Sequence, residues 1–161
     1  QLQAVITKNN TDISNQTWYT IYEKSKGIAA NANVTSTMIW GSQWDATLRY
    51  LYNSGDIEKK KFTYDSTGKG NYQGEQGETY KIIPTGSDDK YKINNIYDMA
   101  GNVGDWTLET HNANEISYRV VRGYYLFDAN GLNSPVSARN YEPATNKLET
   151  LGSRVALYIN I

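Results

Sequence analysis

The chain has no cysteine, a single histidine and only two phenylalanines. Without cysteine it can form no disulfide, no thiolate metal site and no thiol nucleophile. The lone histidine, His111, has no acid or second histidine beside it, so it is a poor basis for a catalytic or metal-ligating reading. Neither charge is in excess: 16 Lys and Arg face 17 Asp and Glu, a formal charge of −1. That leaves no electrostatic footprint for a phosphate backbone, and nucleic acid is not an expected partner. The sequence also lacks any apolar run near the length of a bilayer span, which argues against direct membrane insertion, and no charged-then-apolar leader follows Gln1. Because the chain opens on Gln1 rather than methionine, we expect it to be part of a longer protein.

What is plentiful is tyrosine. The 14 Tyr and 4 Trp stand among many Asn, Ser and Gly, a composition shared by antibody-type binding surfaces and by half-buried strands. A length of 161 residues with 39% apolar content supports one domain, residues 1–161, with its own core.

Apolar spacing predicts a short strand within residues 1–9 and an amphipathic helix over 17–30, with Ser14 or Asn15 as its cap. A second helix is expected over 42–54. Ser42 and Asp45 resemble a capping box there, Trp44, Leu48 and Leu51 form the buried stripe, and Gly55 suits the C-terminal end. Residues 34–40 read as extended. The Gly-punctuated stretch 56–89 reads as loop with a hairpin; its Lys59, Lys60 and Lys61 are expected to be solvated, as are Asp88 and Asp89. Residues 107–114 are polar and turn-like, 117–122 read as a strand, and 123–152 as surface loops. Residues 153–161 alternate as a strand whose Val155, Leu157, Ile159 and Ile161 face the core.

One stretch reads as a motif: NNIYDMAGNVGDW, residues 94–106. Downstream stand Arg122 and Gly123, then Ser137, Ala138 and Arg139, then Gly152, Ser153, Arg154, Val155 and Ala156. In order and spacing these resemble the formylglycine-generating-enzyme branch of the C-type-lectin-like folds, and the similarity extends upstream to about residue 15. The resemblance implies an α+β fold with two helices packed on short, irregular antiparallel sheets bearing long loops. Gly101 and Gly123 suit positive-φ backbone, Trp106 a core anchor, Arg139 and Arg154 loop holders, and Asn102 a backbone partner.

Departures from the pattern bear on function. The cysteine-oxidising enzymes of that family use an active-site cysteine pair, and iron-using relatives need several histidines; this chain has neither. Gly104 replaces a usual tryptophan, Tyr124 a usual glycine and Ser153 a usual phenylalanine. The pattern resembles the variable proteins of diversity-generating retroelements, in which adenine changes in a C-terminal repeat turn Asn codons into Tyr, Asp, Ser, Ala, Leu, Phe or Gly. By that resemblance about 104–152 is the variable region. Gly104, Tyr124, Tyr125, Leu126, Phe127, Asp128, Asn130, Asn133, Asn140, Tyr141 and Asn146 become the candidate ligand-facing residues, with one alternate face of residues 124–127 packing inward. No residue is expected to be catalytic.

The expected function is non-enzymatic binding of a protein or glycan on a cell or phage-host surface, at the exterior of a bacterium or phage particle. Two alternatives stay open. One is a calcium-dependent lectin, from Glu142, Pro143 and a displaced Asn146; the other is an enzyme of the formylglycine type. No cofactor is expected, although oxygen-rich loops of this fold can hold a structural calcium.

Overall fold

The computed structural model describes residues 15–31, 33–76, 81–113, 116–124 and 130–159. The strand expected within residues 1–9 lies outside them. In chain order the elements are α1 (Trp18–Lys26), β1 (Ala30–Asn31), β2 (Val34–Met38), α2 (Gly41–Tyr52), α3 (Ile57–Phe62) and α4 (Gln73–Gln76). They continue with β3 (Lys92–Ile93), β4 (Ile96–Tyr97), β5 (Gly104–Ala113), β6 (Ile116–Arg122), β7 (Arg139–Pro143), β8 (Leu151–Ser153) and β9 (Val155–Ile159).

Both expected helices form, with different ends. Thr17, rather than Ser14 or Asn15, caps α1, its hydroxyl accepting the Thr20 N–H at 3.3 Å. The helix stops at Gly27, and Ile28 is exposed instead of extending the buried stripe. In α2 the capping contact comes from Gln43, whose Oε1 accepts the Trp40 N–H at 2.9 Å. The expected Ser42 and Asp45 box does not form, because the Asp45 carboxylate is drawn to two arginines. Gly55, at φ +78°, follows the end of α2.

The stretch expected to be loop and hairpin contains α3 and α4. Asp56 starts α3 by accepting the N–H groups of Glu58 and Lys59, so the lysine run is helical. Lys61 faces Asp65 at 3.4 Å, and Lys60 lies over the Tyr52 ring.

Three sheets order the described strands: β1-β2-β9, β3-β4 and β7-β6-β5-β8. All pairings are antiparallel except β5 with β8. The polar residues expected to turn at 107–114 instead extend β5 to Ala113, paired with β6 through an irregularity between Trp106 and Thr110. The expected C-terminal strand is two, β8 and β9, broken at Arg154. In β9 the core-facing residue is Ala156; Val155 and Leu157 are half-buried and Ile159 is exposed, reversing the expected face. Ile161 lies outside the described residues.

The core has two parts. Trp44, Leu48 and Leu51 of α2 pack with Phe62, Tyr72, Met99 and Val136. Trp18 and Ile21 of α1 pack with Met38, Trp106, Val121, Ala144 and Leu151. Trp106 is fully buried, as its anchor role requires. Burial of an aromatic this size removes roughly 150–250 Å² from water, a contribution of several kcal/mol. Val136 and Ala144 belong to this core, so the 123–152 region is not loop surface throughout; it also supplies β7.

Candidate functional site

The motif residues build a frame. Gly101 and Gly123 take φ of +66° and +76°, and the Gly101 N–H donates to the Gly123 carbonyl at 2.9 Å. The Asn102 amide holds residue 83 twice: its Nδ2 donates to the Ile83 carbonyl and its Oδ1 accepts the Ile83 N–H, both at 3.0 Å. That Oδ1 also accepts from Asn71 Nδ2 at 2.9 Å. Arg154 donates from Nε to Asp105 at 2.8 Å and from Nη2 to the carbonyls of Tyr97 and Asp98. Burial pushes the Asp105 carboxyl up, and the adjacent Arg154 opposes the shift.

On this frame the outer face of the four-stranded sheet gathers two groups of side chains. The first is aromatic. His111 on β5 is registered with Tyr118 on β6, and Tyr141 projects from β7 on the same face. The His111 and Tyr141 rings stack at 4.5 Å with an interplanar angle of 25°, and Tyr118 meets Tyr141 edge-on at 5.2 Å. His111 is exposed and Tyr141 retains 48% of its accessible surface.

The second group is charged and lies where the chain leaves β6 and enters β7. Arg122 and Arg139 are paired in register across the two strands. Arg122 bonds one Asp45 oxygen and Arg139 the other. Glu109 completes the clasp, with Oε1 3.1 Å from Arg139 Nε and Oε2 3.9 Å from Arg122 Nη1. Arg122 is fully buried, which pulls its guanidinium below the ordinary arginine value, while Asp45 holds it up. Gly41, at the first turn of α2, leaves the space Glu109 occupies: a Cβ there would lie 2.0 Å from Oε2.

The sequence-derived candidates divide among several places. Tyr141 lies in the aromatic group, and Tyr124 follows the clasp directly, half-buried at φ +56°. Asn140 points to the other face of β7, its Oδ1 accepting the Tyr141 N–H at 2.9 Å. Asn146 donates to Glu142 at 2.9 Å. Asn130 and Asn133 belong to a separate turn, where Asn130 Oδ1 accepts the N–H groups of Leu132 and Asn133. Gly104 departs from the expectation of a ligand-facing position. It is buried in β5, its N–H donating to the Thr150 carbonyl at 2.8 Å, because β8 pairs along it. Tyr125, Leu126, Phe127 and Asp128 lie outside the described residues.

Sequence reasoning missed His111 and Tyr118 as surface partners and Asp45 and Glu109 as clasp carboxylates. The available signal was the short link between residues 107–113 and 116–122, which reads as a hairpin once the first segment is taken as a strand. Among the described residues no three of His, Cys, Asp and Glu come together as a metal-holding group, and no helix is long and apolar enough to cross a membrane. Asp88 and Asp89 are engaged locally: Asp88 accepts the Lys90 N–H, and Asp89 takes the Tyr97 hydroxyl at 2.6 Å and Lys92 at 2.9 Å.

This architecture is an α+β domain of the C-type-lectin-like class. Residues 22–159 match the family model of the Sulfatase-modifying factor enzyme 1-like domain, and the chain belongs to that family. Its fold is similar to that of CarF, with a TM-score of 0.71 at 14% identity over 92% of this chain and 67% of that one. It is also similar to Treponema denticola variable protein 1, with a TM-score of 0.61 at 15% identity over 96% of this chain and 74% of that one. No curated protein matches the sequence.

Proposed function

We propose that the protein is a non-enzymatic variable protein that binds a protein or glycan at a cell or phage-host surface, outside a bacterium or phage particle. The surface used is the outer face of the β5-β6-β7 sheet together with the candidate residues between Tyr124 and Asn146. The observation that carries this reading is the His111, Tyr118 and Tyr141 group. Three rings held by paired strands keep exposed aromatic surface, and such rigid aromatic anchors are what binding hot spots use. Arg139, half-exposed and two residues before Tyr141 on the same face, adds a planar donor at its edge.

The shared fold with Treponema denticola variable protein 1 supports the variable-protein part of the proposal. The family includes enzymes, so its membership is neutral on catalysis. The inventory is not: a chain with no cysteine and one histidine offers neither a cysteine pair nor a multi-histidine iron site.

The DNA beside the gene tests the proposal. A reverse-transcriptase gene is expected nearby, with an imperfect copy of the segment coding for residues 104–161 that differs only at adenines. Isolates should then vary at positions such as 124, 130, 133, 140, 141 and 146 while Trp106, Arg122 and Arg139 stay fixed. A locus with neither feature overturns the diversification reading.

A further inference from the structure

Asn130 and Gly131 form the sole Asn–Gly pair in the sequence. Such a pair carries its own chemistry. The glycine nitrogen gives up its proton and attacks the asparagine side-chain carbon Cγ. The new N–Cγ bond closes a succinimide, the Cγ–Nδ2 bond breaks, and ammonia leaves with that proton. Water then opens the ring to aspartate or isoaspartate. Glycine makes the pair reactive because no Cβ blocks the approach and the backbone turns freely.

The fold places a contact on each group this reaction must move. The Gly131 N–H donates to Glu75 Oε1 at 3.0 Å, and the other oxygen of that carboxylate accepts the Gly68 N–H at 2.7 Å. Glu75 is thereby anchored between two loops. The Gly131 carbonyl accepts the Ser66 N–H at 2.9 Å, and the Asn130 carbonyl accepts the Ser134 N–H at 3.2 Å. Asn130 Oδ1 accepts the N–H groups of Leu132 and Asn133 at 3.1 and 3.0 Å, which fixes the side-chain amide over the turn. A Cβ on Gly131 would stand 2.2 Å from the Ser66 carbonyl carbon, so the glycine has no room to swing on that side. Two effects then oppose ring closure. It costs the bond to Glu75, whose acceptor is charged. The nitrogen must also become anionic beside a carboxylate, and like charges this close repel.

We infer that Asn130–Gly131 is a latent self-modification site and that Glu75 is the group that keeps it closed in the native fold. Opening it would harm the turn either way. Aspartate puts a second carboxylate into a turn built on Glu75, and isoaspartate routes the backbone through an extra methylene where there is no slack. The inference uses no ligand and does not rest on the binding surface proposed above, so the two can fail separately.

The test incubates the full chain at neutral pH and follows Asn130 by mass spectrometry of the peptide that contains it. Asn53, in the exposed Asn53–Ser54 pair, is the internal reference. The folded parent is expected to lose Asn130 at least about 10-fold more slowly than the chain unfolded in guanidinium chloride. E75A should raise the Asn130 rate in the folded chain by about 10-fold and leave the Asn53 rate unchanged. A folded rate equal to the unfolded one would remove the guard altogether. No acceleration in E75A would assign the protection to other contacts, and a slower rate would make Glu75 the base of the reaction; either result overturns the inference. A rise at both asparagines together would mean that Glu75 supports the whole fold rather than this site, and would overturn it as well.

Discussion

Asp98 is buried at φ +49°, and its Oδ2 accepts the Gly86 N–H at 2.9 Å. Burial raises its carboxyl above the ordinary value of 3.8, against the opposing pull of that N–H and of Arg154. The native state therefore holds this proton more tightly than the unfolded chain does. Its contribution to stability is largest below pH 3.8 and declines as pH rises through the higher native value. D98N keeps an acceptor and a residue suited to positive φ but does not titrate, so its melting curve from pH 4 to 7 should lack that decline and match or exceed the parent at pH 7. D98A loses both features and should be less stable by about 1–2 kcal/mol. A D98N melting point below the parent at pH 7 would mean that attraction to Arg154 outweighs burial. Tyr141 poses the opposite case, a large side chain whose surface is half exposed. Y141A should leave the melting temperature within about 3 °C of the parent and, with a bound partner in hand, weaken binding by about 10-fold or more.

Among the elements, the turn at residues 130–134 is tied down more firmly than its polar sequence suggests. The Gly131 N–H donates to Glu75 at 3.0 Å, its carbonyl accepts the Ser66 N–H at 2.9 Å, and a Cβ would fall 2.2 Å from the Ser66 carbonyl carbon. G131A must displace backbone and should destabilise by about 1–3 kcal/mol in urea unfolding. An unchanged midpoint would show that the turn can move away. Little of this was legible beforehand. Gly101 and Gly123 announce themselves through a motif, but Gly131 sits in a run of small polar residues and meets a chain segment 65 positions away. Strand β5 was obscured for a related reason. Thr107, Glu109, Thr110 and His111 look like a turn, because the fully buried Thr107 is polar, its hydroxyl donating to the Val120 carbonyl, and the register irregularity between Trp106 and Thr110 breaks the alternation before the exposed Thr110 and His111.

For the molecule as a whole, the clasp joins α2 to the sheet by one carboxylate shared between a buried and a half-exposed arginine. D45A leaves the buried Arg122 with only Glu109, 3.9 Å away, and should cost about 3 kcal/mol. R139A removes a half-exposed partner and should cost less than about 1 kcal/mol. Chemical denaturation of the two variants reads the difference; equal losses would mean that the clasp acts as a unit through Glu109.

The local sequence determined the helix stripes of Trp18, Ile21, Trp44, Leu48 and Leu51, the positive-φ glycines and the burial of Trp106. The motif spacing pointed to the family. These properties are local because periodicity, backbone freedom and side-chain volume are written within a few residues of each other. Tertiary structure alone decided that Gly104 is covered by β8, that Asp45 serves arginines rather than its own helix, and that His111, Tyr118 and Tyr141 share one face. Each of those depends on strand pairing between distant segments, where the energy lies in contacts that no local pattern encodes.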